Sequence, residues 1–154
     1  MARRILRLAV APVVLPHELA HAAAALAVGL TPEVRLLPPH EGSTTPLGQF
    51  DADLPASTPT WRVRLVAVAP LIVFVGGAML LRLTVAPAAL GAVFAVVPLA
   101  YWGSLSAGDV AVAAAPDEAR KSGRFAADVT RRVQATADAL TLVVALVIAA
   151  ALLA

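Results

Sequence analysis

The chain contains no cysteine and no asparagine, and it is poor in charged and aromatic residues. Without cysteine, disulfides and thiolate metal ligands are excluded, so any bound metal must use imidazole and carboxylate. Of the 154 residues, 14% are charged, 5% aromatic and 60% hydrophobic, with a mean hydropathy of +0.83. A soluble domain is about half apolar and about a quarter charged, so the composition excludes that class. It predicts a single all-α integral membrane domain, 1–154, a bundle of four to five transmembrane helices whose first partner is the lipid bilayer. The sequence pI of 9.9 arises from arginines at segment ends. No basic run is interleaved with aromatics, so nucleic acid is not an expected partner. Richness in Ala, Val, Arg and Asp beside one Lys, Lys121, points to a high-GC prokaryotic genome.

Apolar runs place the first span at about residues 5–30, with Pro12 and Pro16 inside it. Arg3, Arg4 and Arg7 precede it as in a signal peptide. Polar groups in its middle and its length favour an uncleaved first helix with a cytoplasmic N-terminus. Residues 31–60 hold six prolines and cannot be helical. Residues 33–37 and 47–51 read as two short strands, joined through His40–Pro46 into a hairpin whose edge could pair with an extended peptide. Further spans are expected at about 61–81, with Pro70 mid-helix, at 85–102, at 104–115 (short or re-entrant) and at 138–154. Phe125, Val129 and Val133 recur every four residues, which predicts an amphipathic surface helix over 117–137. The positive-inside bias then puts Arg82 and the stretch Arg120–Arg132 in the cytoplasm, the 31–60 loop outside, and five crossings between them.

Within the first span stands Pro16-His17-Glu18-Leu19-Ala20-His21, an H-E-x-x-H pattern. On a helix, His17 and His21 share a face and can hold one Zn2+ ion. Glu18 lies beside them, able to take a proton from water as general base. Ionisable groups inside a span are costly and are by default functional. A catalytic zinc takes three protein ligands plus water. Asp109 is the sole carboxylate between Asp53 and Asp117, at a depth compatible with the two histidines, and is the expected third ligand. Two rivals stay open: Asp109 as a helix-capping or interfacial residue, and His40 or Glu41 as the third ligand.

These residues resemble the site-2 protease class of intramembrane zinc metalloproteases, in particular its small zincin-type prokaryotic members. The family pattern is H-E-x-x-H in an early membrane helix and an Asp ligand in a later one, matched here by His17, Glu18, His21 and Asp109. The likeness spans roughly residues 15–115. It implies a multi-pass cell-membrane protein that hydrolyses peptide bonds in or near the spans of other membrane proteins. The chain departs from the family after Asp109, where Val110 stands in place of Gly-Gly. It also lacks the family's substrate-holding Asn, for which Ser104, Ser106 and Gln49 are candidate replacements. A non-catalytic zinc- or partner-binding scaffold is the alternative expectation. A small ion-conducting bundle ranks third, because relay residues need no ligand spacing.

Overall fold

The computed structural model describes residues 2–38, 47–84 and 90–154. Helix α1 (Ala2–Ala27) runs unbroken through both prolines, about 39 Å long. It stops where Gly29 adopts a left-handed conformation (φ 79°), with Leu30 N–H donating to Ala25 O and Gly29 N–H to Leu26 O. This is a Schellman stop, which satisfies the last carbonyls and turns the chain. Strands β1 (Pro32–Leu36) and β2 (Gly48–Ala52) then pair antiparallel, Val34 opposite Phe50, each within one residue of its predicted place. The turn predicted between them lies outside the described residues.

The predicted second span is two helices, not one. α2 (Thr60–Ala67) and α3 (Ala69–Arg82) meet at Val68 with a 54° bend. α4 (Leu90–Gly103) and α5 (Ala107–Ala114) likewise meet at a 50° bend, so the segment predicted as a short or re-entrant fourth span is an eight-residue helix that follows the third span after a break, as in a broken span or a re-entrant loop. The amphipathic helix predicted over 117–137 does not form. α6 (Pro116–Ser122) ends at left-handed Gly123 (φ 71°), the chain stays non-helical to Thr130, and α7 (Arg131–Leu153) begins under a Thr130 cap. Phe125 is therefore buried while Val129 is exposed, and the four-residue stripe never exists as a surface.

Two apolar clusters hold these parts. Ala25, Leu30, Phe50, Leu54, Val63, Val66, Val112 and Phe125 join the hairpin to α1, α2 and α5. Ala78, Ala92, Ala100, Val144, Ile148 and Leu152 join α3, α4 and α7. Large apolar side chains such as Leu80, Leu90, Phe94, Val97, Leu142 and Leu146 point outward, each more than 60% exposed. An outer surface so apolar suits lipid rather than water. Among the described residues two helices, α1 and α7, are long and apolar enough to cross a membrane, or up to four spans if each bent pair counts as one.

The predicted topology with five crossings needs correction. It required residues 31–60 and 120–132 on opposite sides, yet these segments touch. Leu54 N–H donates to Gly123 O, Arg120 Nη1 to Thr58 O, and Arg124 Nε to Asp51 Oδ2 at 2.8 Å. Arg62 donates to Val28 O just past the end of α1, and Arg64 to Ala113 O in the last turn of α5. Cations suit those helix C-termini because carbonyls there lack helical partners. The hairpin, α6 and the start of α7 thus share one end of the bundle, and Arg82 lies at the other.

Candidate metal centre

His17 and His21 sit on one face of α1, as the i, i+4 spacing requires, with ring centroids 4.8 Å apart. Each ring is anchored through Nδ1 on a backbone carbonyl. His21 Nδ1 lies 2.7 Å from Val66 O, and His17 Nδ1 lies 2.9 Å from Trp102 O. A carbonyl only accepts, so both Nδ1 atoms carry the hydrogen and donate it. In the neutral rings each Nε2 is then a bare lone pair, the arrangement in which an outer-shell hydrogen bond aims a ligating imidazole.

Asp109 completes the cluster from the first turn of α5. Ser106 caps that helix in a reciprocal box: Asp109 N–H donates to Ser106 Oγ (3.2 Å) and Ser106 N–H donates to Asp109 Oδ2 (2.8 Å). The capping role weighed against ligation is therefore real, and it holds the carboxylate toward the histidines. Asp109 Oδ1 is 3.1 Å from His21 Nε2, Oδ2 is 3.4 Å from His17 Nε2, and the two Nε2 atoms are 3.2 Å apart. With both rings neutral, four acceptor atoms converge with no hydrogen of their own to share, an arrangement that a metal ion or a proton on one Nε2 relieves. Ligands about 2.0–2.1 Å from a tetrahedral zinc stand about 3.3 Å from one another, close to these spacings. These three side chains fit a metal ion and could hold one. The rival ligands His40 and Glu41 lie outside the described residues.

Glu18 is buried on the neighbouring face of α1, its carboxylate facing the Phe50 backbone amide. β2 can approach so closely only because residue 48 is glycine. A Cβ there would stand 2.2 Å from Val14 Cγ1 and 2.9 Å from Glu18 Oε1. The Phe50 ring stacks on His21 at 5.2 Å, and Phe125 packs edge-on against Phe50 at 5.0 Å. Neither phenylalanine was singled out from sequence for the site. Only the Ser122-Gly123 stop signal could have freed Phe125 from its assumed helix.

A cleft of about 730 Å³ opens beside Glu18, His17 and Asp109. One wall is the outer edge of β2. Leu37 N–H donates to Leu47 O, so residues 47, 49 and 51 turn their backbone groups to β1, while those of Gly48 and Phe50 turn away from it. The opposite wall comes from Tyr101, Ser104, Ser106 and the small residues of α7, Thr141 and Ala145. All three candidate replacements for the missing asparagine line this cleft. Ser104 spends its hydroxyl hydrogen on Ala100 O (2.7 Å), which leaves Ser106 and Gln49 as the side-chain donors. In comparisons with known proteins, no family model, curated protein or solved structure matches this chain.

Proposed function

We propose that the chain is a membrane-embedded zinc endopeptidase that cleaves peptide bonds in or near the membrane-spanning segments of other proteins. The observation that carries this reading is the convergence of His17 Nε2, His21 Nε2 and the Asp109 carboxylate within 4.8 Å, beside Glu18 in an open cleft. Two imidazoles and a carboxylate at tetrahedral spacing suit Zn2+ better than the all-oxygen shells of Ca2+ or Mg2+. Zinc held by His17, His21 and Asp109 would supply Lewis acidity toward a substrate carbonyl and would lower the pKa of a water molecule.

The chain's own residues do the rest. Glu18 takes the proton from the attacking water and delivers it to the departing amine nitrogen. The Gly48 backbone groups and the Phe50 carbonyl, which turn away from β1, offer an edge along which an unwound, extended segment can lie, while the Phe50 N–H faces Glu18. Unwinding is needed because a helical segment keeps its peptide groups paired within itself. The Ser106 hydroxyl and Gln49 amide provide polar contacts in the cleft.

Eight of the twelve Lys and Arg residues fall at the hairpin end and four at the N-terminal end. The positive-inside bias then favours a cytoplasmic hairpin and an external N-terminus, opposite to the orientation expected from the first arginines alone. The scaffold reading stays the alternative because the chain has no asparagine.

The test compares wild type with Glu18→Gln, each co-expressed with a panel of single-span reporter proteins. Retained zinc with all cleavage lost in the variant is the expected result. Equal cleavage by both refutes the assigned base. Zinc in wild type without cleavage of any reporter favours the scaffold.

A further inference from the structure

In a helix, the carbonyl of residue i accepts from the N–H of residue i+4. For Val66 that partner is residue 70, a proline, which has no N–H and whose ring crowds the carbonyl it would have met. α2 accordingly stops at Ala67 and α3 starts at Ala69, bent by 54°. Pro70 is fully buried at this break. A backbone N–H at the α2 cap donates to the Val66 carbonyl, and the acceptor capacity that residue 70 leaves unused takes His21 Nδ1–H at 2.7 Å. His21 is itself only 1% exposed, so no water replaces this contact. With both lone pairs of Val66 O taken by backbone N–H groups, the ring would be free to carry its hydrogen on Nε2, pointed at Asp109 and useless as a ligand.

The second imidazole follows the same rule. Trp102 O, the anchor of His17, would pair with the N–H of residue 106 in a continued helix, but that N–H donates to Asp109 Oδ2. Pro98 provides a contrast. It lies inside unbroken α4, and the carbonyl to which it cannot donate belongs to Phe94, whose side chain is exposed and which lines neither the cleft nor the metal centre.

We propose that Pro70 is a positioning residue for the metal centre: by removing the i+4 donor from Val66 O and leaving one acceptor site of that carbonyl to the imidazole, it fixes His21 with Nδ1 protonated and Nε2 turned to the metal. The proposal rests on the metal reading above, and its test separates the two. Zn2+ affinity is measured by chelator competition on the detergent-purified full chain for wild type, Pro70→Ala, Pro70→Gly and Pro98→Ala. The His21 tautomer is read by 15N NMR on the zinc-free proteins. Loss of an outer-shell partner weakens metal binding about 10- to 100-fold. A drop of that size is expected for both Pro70 variants, with helical content kept and the Nδ1–H tautomer of His21 lost, while Pro98→Ala matches wild type. Wild-type affinity and tautomer in the Pro70 variants overturn the proposal. So does unfolding of both, which would make Pro70 a residue of the fold alone. Should wild type bind no zinc, the metal reading fails, and the tautomer comparison still decides whether Pro70 orients His21.

Discussion

Replacing Asp109 with asparagine separates the ligand role of this side chain from its capping role. The Asn carbonyl oxygen can keep the bond from Ser106 N–H that Oδ2 makes at 2.8 Å, so α5 stays capped. The amide nitrogen then takes the place of Oδ1, 3.1 Å from His21 Nε2, and can donate to its lone pair. Without metal, and at a pH where both rings are neutral, the variant exchanges an acceptor–acceptor contact for a hydrogen bond worth about 1 kcal/mol. Zinc-free Asp109→Asn should therefore be at least as stable as zinc-free wild type, despite losing a charge. With free zinc at a thousand times its dissociation constant, wild type gains about 4 kcal/mol by linkage, and a variant short of a ligand gains far less. The order of stabilities thus inverts on adding zinc. Thermal unfolding in detergent, followed by circular dichroism with chelator and then with Zn2+, reads both halves. A zinc-induced rise in Asp109→Asn equal to that of wild type refutes Asp109 as a ligand. A zinc-free variant well below wild type refutes the claim that the bare cluster lacks donors.

Gly48→Ala should overpack the contact with Val14 and Glu18, cost about 1–3 kcal/mol and reduce cleavage while zinc content holds; metal analysis beside the reporter assay checks it, and full activity would show that β2 does not seat the base. Phe125→Ala removes a buried ring from the Phe50 and His21 stack and should cost about 3 kcal/mol in a thermal or denaturant series. A cost near zero would mean that the 123–130 segment does not pack on the metal centre. Since the chain has no cysteine, single replacements report topology directly. Ser57→Cys and Lys121→Cys should react with a membrane-impermeant thiol reagent from the same side, and Thr84→Cys from the other. Lys121→Cys reacting with Thr84→Cys instead would restore the arrangement with five crossings.

The site was legible in the sequence where local geometry dictates it. An i, i+4 histidine pair shares a helix face whatever surrounds it, so His17, His21 and the adjacent Glu18 could be read from spacing alone. Asp109 was legible because a lone carboxylate in an apolar segment needs a partner. The two short strands were legible because prolines exclude helix from residues 31–60. Tertiary structure decided the remainder. Apolar periodicity cannot register a break, so the second span was read straight through Val68 although Pro70 was in plain view. The stripe of Phe125, Val129 and Val133 satisfied helical spacing, but left-handed Gly123 ends the helix before it, and Phe125 turns in to pack on Phe50. Which carbonyls seat the imidazoles, Val66 and Trp102, is set by segments 45 and 85 residues away in the chain. Local rules thus name the candidate ligands. Only the folded chain brings together the backbone groups that aim them, because hydrogen bonds at such sequence separation leave no periodic trace.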